Sequence, residues 1–249
     1  MPDELVHYAV SDAVATITLD SQHNRNALSH QLVTELAERL ERADGDADAR
    51  VVLIRQEGKV FCSGADLTEA TTGGMEEGAR RIVALQRQIA TLDKPVVTRV
   101  AGAVRAGGIG IVAASDLAIS ADDATYALTE VKLGLAAAII SLTVHTRMNP
   151  RAAALTTLGG EVFTGAQAAD YGLVTRAVPV DELDDAVATV CAQLATGAAQ
   201  GLRESKRILN ADLVRRIDAL GDDMAALSAR LFASDEAREA MTAFLNRKK

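Results

Sequence analysis

"AGGIGIVAASD", residues 106–116, decides the fold, because it admits two incompatible readings. Gly108, Gly110 and Ala113 have the G-x-G-x-x-A spacing of a loop that grips a dinucleotide pyrophosphate, and Glu130 stands about where a ribose-binding acid is wanted. A dinucleotide loop follows directly on its strand, however, and leads into a crossover of at least ~10 residues that returns to a parallel neighbour. Here the glycines stand beyond the apolar run VVTRV (96–100), and the helix that fits between Gly108 and Asp116 has only about two turns. The segment therefore reads as glycines entering a short helix, with unobstructed backbone N–H groups at its positive end where a negative oxygen can be held. A second glycine loop, FCSGADL (61–67), also precedes a helix start. Spacing leaves two readings open: both loops donate to one oxygen, or both are tight turns.

Working outward, residues 5–10 and 14–19 alternate as a hairpin with Ser11 and Asp12 at the turn. Ser29 caps a helix whose Leu32, Leu36 and Leu40 share a face. VVLI (51–54) is apolar on both sides, as in a covered parallel strand. A helix carrying Ile82, Leu85, Ile89 and Leu92 ends at Lys94-Pro95. VVTRV, LAIS (117–120) and TYAL (125–128) are further strands, so strand and helix alternate through the first 150 positions and predict an α/β class with parallel pairing. Beyond Asn149-Pro150, helices are expected at 151–158, 182–196, 202–218 and 222–246, with a capped turn at Thr164. No linker marks this last third as independent.

The 249 residues can bury a full core, and a net charge of −8 leaves no basic face to follow a phosphate backbone, which argues against nucleic acid. The start lacks a signal-peptide pattern, and no apolar run reaches the ~18 residues of a membrane span. A cytoplasmic protein with no membrane association is the expectation. Cys62 and Cys191 form no ligand spacing, so neither a disulfide framework nor a metal site is expected; Cys62 reads as a small buried residue rather than a nucleophile.

Five segments in order, NRNALS (24–29), VFCSGADL (60–67), AGAVRAGGIGIVAASDLAISADDATYALTEVKLGL (101–135), FTGAQAADYGLVTRAVPVDEL (163–183) and AREAMTAFLNRK (237–248), resemble the enoyl-CoA hydratase/isomerase, or crotonase, superfamily. The resemblance implies a crotonase-like ββα spiral over residues 1–190 with a C-terminal helical trimerisation or lid region over 191–249, assembled as a homotrimer or a dimer of trimers. It implies an acyl-CoA substrate whose thioester enolate is held by two backbone N–H groups, here those of Ser63 and Gly107. It places Arg25, Ala27, Ala65, Asp66 and Leu67, with Gly108 and Gly110 of the glycine loop, at substrate- or CoA-binding positions. Coenzyme A enters as part of the substrate, and no separate cofactor is implied.

One departure matters. Two-glutamate hydratases of this superfamily carry acids at the positions of Gly110 and Glu130, and this chain keeps only Glu130. A lone carboxylate can shuttle a proton between two carbons of an enoyl-CoA, isomerising its double bond, or polarise water for hydration. Within the superfamily the pattern is most similar to bacterial methylglutaconyl-CoA-type hydratases, whose substrates carry a distal carboxylate that Arg105 could meet. GLAAAIISLTV (134–144) also departs from the hydratase pattern and leaves the acyl pocket unassigned. Thioester hydrolysis, and acyl-CoA binding without turnover, are the remaining readings.

Overall fold

The computed structural model describes residues 3–66, 69 and 74–246. Strands β1 (Val6–Ser11) and β2 (Val14–Leu19) form the expected hairpin. Its turn is Asp12-Ala13, one position later than the spacing suggests, with φ of +50° and +61°. Two left-handed residues give the turn the twist that flanking strands need. From β2 the sheet continues in parallel through β3 (Val51–Gln56), β5 (Val96–Val100), β7 (Leu117–Ala121) and β10 (Arg176–Val178). The intervening strands β4 (Val60–Cys62), β6 (Ala103–Arg105), β8 (Thr125–Ala127) and β9 (Phe163–Thr164) make a second, four-stranded sheet.

After the β1–β2 hairpin and its helix, the β3–β4 and β5–β6 turns each give one strand to each sheet and then a helix. The helices of the first three turns are α1 (His30–Gly45), α2 (Met75–Thr91) and α3 (Gly107–Ala114). The Ser29 hydroxyl accepts from the Leu32 N–H at 3.2 Å, and Leu32, Leu36 and Leu40 are wholly buried, as the periodicity predicts. The mixed α/β class with parallel sheets is the one read from the alternation of elements.

Further on come α4 (Ser141–Arg147), α5 (Pro150–Gly159), α6 (Gly165–Asp170), α7 (Leu183–Ala195), α8 (Ala199–Phe232) and α9 (Asp235–Asn246). Thr164 caps α6 in a reciprocal arrangement with Gln167. The division at 190/191 falls inside α7, whose Val187, Val190 and Cys191 are buried in the main core. The helical section is also not broken near residue 220: α8 is one helix of 34 residues, and the chain turns only after Phe232. Gly221 stays helical because it is a contact point and not a stop. A Cβ there would stand 2.9 Å from Val83 Cγ1 of α2, so the missing side chain lets α8 lie close along α2. Among the described residues no helix is long and apolar enough to cross a membrane.

One buried ion pair ties α8 to the sheet. Lys206 Nζ donates to Asp116 Oδ2 at 2.9 Å and to the carbonyls of Ile89 and Lys94, both at 2.9 Å. Burial lowers the Lys206 pKa, and Asp116 opposes that shift. Lys206→Met should cost about 3 kcal/mol in urea unfolding, because the part-buried Asp116 loses its direct counter-ion. Adding Asp116→Asn should recover part of that loss; a double variant as unstable as the single would mean the carbonyl contacts, not the charges, matter.

Candidate active site

Strands β4, β6 and β8 are parallel neighbours, with Cys62 beside Val104 and Arg105 beside Ala127. Their carboxyl ends therefore open at one edge of the small sheet, and the segments that leave them are 63–65, 106–108 and 128–130. The first two touch. A Cβ on Gly64 would lie 3.1 Å from Ala106 Cβ, one on Gly107 would lie 2.6 Å from Leu28 Cδ1, and one on Gly108 would lie 2.6 Å from Cys62 Cβ. The Cys62 thiol is buried beneath this contact and its pKa is pushed up to about 12, which suits a packing residue and not a nucleophile.

Ala106 holds φ +45° and ψ −120°, a sparsely populated conformation for a residue with a side chain, and α3 starts at the next position. The amides of Gly107 and Gly108 occupy the first two positions of that helix and have no acceptor among the described residues. On the other loop the two amides differ. The Ser63 N–H donates to the Arg25 carbonyl at 3.1 Å, so the donor expected there is already engaged. The Ala65 N–H has no acceptor among the described residues. It sits beside Leu28, whose own N–H donates to the Gly64 carbonyl at 2.8 Å.

That arrangement depends on a residue that no sequence motif singles out. Asn26 is buried with φ +52°, accepts from the Ser21 N–H at 2.6 Å and donates to the Val60 carbonyl at 2.8 Å. It pins the NRNALS turn against β4 and so fixes Leu28 beside Ala65. Arg25 and Asn26 are successive positive-φ residues, and the asparagine-rich composition of the turn is the one signal in the sequence that points to them.

Glu130 opens a single 3-10 turn, Glu130–Leu133, directly after β8. Its Oε2 is buried with no hydrogen-bond partner among the described residues, and burial raises its pKa to about 7, partly offset by its own backbone amide. A carboxyl group poised at neutral pH in a water-poor setting can give or take a proton.

The other expected positions fare differently. A Cβ on Gly110 would meet Ile140 Cγ2 at 2.8 Å and Gln86 Oε1 at 3.1 Å. The place of a second acid is filled by Ile140 and by a buried Gln86 that bonds Thr143 at 2.7 Å. Arg105 uses its guanidinium on the carbonyls of Val104 (2.9 Å) and Thr125 (2.6 Å) and on the Thr125 hydroxyl (3.1 Å), which commits it to the local backbone. Arg25 is exposed beside the loop, and Ala27 is buried, with its N–H on Asn24 Oδ1 at 3.3 Å. Asp66 accepts from Asn24 Nδ2 at 3.2 Å. Leu67 lies outside the described residues. A cavity of about 260 Å³ opens beside these loops, lined by Leu28, Ala65 and Asp66 at one end and by α1, α2 and α8 beyond. Gly107 and Glu130 are not on its wall; Leu28 borders both the cavity and Gly107.

Comparison with known proteins gives a consistent answer. The family model described as enoyl-CoA hydratase/isomerase matches residues 9–249. A Bacillus subtilis protein named "Probable enoyl-CoA hydratase" is 30% identical over 98% of this chain and 96% of its own. The crystal structure of an enoyl-CoA hydratase from Mycobacterium avium superposes with a TM-score of 0.93 at 42% identity, covering 98% of this chain and 97% of that one. Another, from Mycobacterium avium subsp. paratuberculosis, has a TM-score of 0.88 at 29% identity, with 99% and 97% covered.

Burial of Glu130 makes a stability prediction. Its folded pKa lies above the unfolded value, so the folded state binds the proton more tightly, and stability falls as pH rises from the ordinary carboxylate range through about 7. Glu130→Gln should therefore stabilise the ligand-free protein at pH 8 by up to about 3 kcal/mol and change it little near pH 4. Chemical denaturation at the two pH values checks this; an equal effect at both would mean the carboxyl is not desolvated.

Proposed function

Because the chain belongs to the enoyl-CoA hydratase/isomerase family, we propose that it moves a proton on an unsaturated acyl-CoA, holding the thioester oxygen with the N–H groups of Ala65 and Gly107 and using Glu130 as the acid/base. The observation that carries this reading is a buried carboxylate oxygen that leaves the same sheet edge as the Ala65 and Gly107 amides, none of the three having a hydrogen-bond partner among the described residues. Removing a proton beside a thioester passes negative charge to its oxygen. Fixed amide donors lower that barrier without reorganising, and loss of one costs about 3 kcal/mol. Ala65 takes the donor role because the Ser63 amide is spent on Arg25. Arg25, Ala27, Asp66 and Leu67 are assigned to the CoA portion, which arrives with the substrate; the chemistry asks for no other cofactor.

The closed position at Gly110 favours the one-acid route, double-bond isomerisation, in which Glu130 takes a proton from one carbon and returns it to another. Hydration is the second reading, supported by the names of the relatives. Arg105, committed to backbone carbonyls, gives the methylglutaconyl-type reading little support. Assembly into trimers is proposed on the exposed Leu155, Leu158 and Val162, which lie beside the turn that carries Glu130.

Incubation with a 3-enoyl-CoA and with crotonyl-CoA, followed by product identification, separates the readings. Isomerisation yields the conjugated 2-enoyl-CoA from the first; hydration consumes the second; tight binding with neither product leaves a non-catalytic acyl-CoA binder. Glu130→Gln should lower kcat by about 100-fold or more while acyl-CoA affinity stays within a few-fold. For the wild type, kcat/KM should rise with pH through about 7 as the base ionises. A flat profile over pH 6–8 would remove Glu130 from the role.

A further inference from the structure

The helix α9 lies against the turn that carries Glu130, and backbone makes the approach. A Cβ on Gly134 would stand 3.2 Å from both Cα and N of Ala237 and 3.3 Å from the carbonyl carbon of Glu236. Gly134 also has φ +68°, so glycine serves both the contact and the conformation. Its N–H donates to the Glu130 carbonyl, which accepts from the Leu135 N–H as well, at 3.0 Å. The residue that α9 touches therefore closes the turn on Glu130 itself. On the opposite side stands Gly160, just beyond α5. A Cβ there would meet Val131 Cγ1 at 3.0 Å and the Leu128 carbonyl at 3.2 Å. The turn is thus clamped from two directions.

One jaw of this clamp is lightly held. Of the described side chains of α9, Ala237 alone is buried. Its N–H donates to Ser234 Oγ at 3.2 Å, a cap on the helix start. A terminal helix with so little buried surface is among the first elements to detach, yet its anchor is the turn that presents the acid. None of the described residues of α9 lines the cavity beside Ala65.

We propose that Ala237 is a positioning residue: its main chain, seated on Gly134, locks the turn that aims Glu130, so that docking of α9 is needed for proton transfer and not for holding acyl-CoA. The inference rests on the reading of Glu130 as the acid/base. Charged groups on the turn and on the elements packed against it are all exposed: Lys132 pairs with Glu161 at 3.4 Å, Arg238 with Asp235 at 2.7 Å, and Arg151, Glu236 and Glu239 complete the set. Burial, and not a neighbouring charge, keeps the Glu130 carboxyl near neutrality. A loosened turn admits water to it and lowers its pKa toward the ordinary carboxylate range.

The variant Ala237→Leu places a larger side chain in a closed space and should wedge α9 off the turn. With the acyl-CoA that the wild type turns over, kcat should fall about 10- to 100-fold while KM stays within about three-fold. The pH midpoint of kcat/KM should move below about 7. Ser234→Ala removes the cap without adding bulk; it should shift both quantities in the same direction by less, and it carries the test if the leucine variant does not fold. Urea unfolding of the ligand-free protein gives a readout without turnover: the gain in stability that Glu130→Gln brings at pH 8 should shrink by about half or more in the Ala237→Leu background. Unchanged kcat with an unshifted midpoint would overturn the proposal. Equal losses of kcat and of acyl-CoA affinity at an unshifted midpoint would also overturn it, by reducing Ala237 to general packing. If Glu130→Gln turns over acyl-CoA like the wild type, the catalytic reading fails, and a shrunken unfolding gain would still uphold the clamp on Glu130.

Discussion

The structure is organised around an eight-residue helix, Gly107–Ala114, every residue of which is buried. A helix with no exposed face has to pack on all sides, and the approaches are close: Leu28 against Gly107, Cys62 against Gly108, and Ile140 with Gln86 against Gly110. Such contacts hold its axis to within the small tolerance of a close-packed interior. Its first amides are aimed as a consequence, because a short rigid helix carries its terminal N–H groups wherever its neighbours put them. An oxyanion site assembled from backbone needs that fixity more than it needs any side chain.

The far end of the same helix is held by charge. Arg147 donates to the carbonyls of Ala113 (3.0 Å) and Ser115 (3.3 Å) and to Asn210 Oδ1 (3.1 Å). Asn210 donates to Asp116 Oδ1 at 2.8 Å and to the Ala90 carbonyl at 3.1 Å, and the other Asp116 oxygen meets Lys206. Of the carbonyls left open at the end of so short a helix, that of Ala113 is met by Arg147 of α4, and α8 holds Arg147 in turn through Asn210. A cation at that end is also favourable to the helix dipole. The long C-terminal helix, remote in sequence from the glycine loop, thus helps secure the element that presents it.

Much of this architecture is legible in the residues themselves. Alternating strand and helix patterns point to the α/β class, Ser29 and the Leu32 stripe mark α1, and the short interval between Gly108 and Asp116 rules out a dinucleotide crossover. Three features are not legible there, each for a physical reason. Gly221 reads as a break because propensity is local, whereas its helical state is decided by Val83 on another helix. Ser63 and Ala65 are indistinguishable as donors in sequence, since both have an amide; only the Arg25 carbonyl, set by two positive-φ residues, tells which is occupied. Arg105 reads as a free cation until the fold brings the Thr125 carbonyl to it.

On the proposed reading, the chemistry turns on what surrounds a single carboxyl. With a second acid nearby, one group could hold water while the other delivered a proton; here the corresponding space is occupied by the Ile140 methyl group and by a Gln86 whose amide is satisfied by Ile82, Ile139 and Thr143. A satisfied amide offers no basicity, and an alkyl group excludes water. Burial raises the Glu130 pKa toward neutrality, where a group gives up and regains a proton with nearly equal ease. Taking a proton from one carbon and returning it to another requires that symmetry, whereas activating water for addition rewards a stronger base with room beside it. On the proposed reading, the closed space at Gly110 and the burial of Glu130 are two separate observations that both favour moving a proton over adding a water.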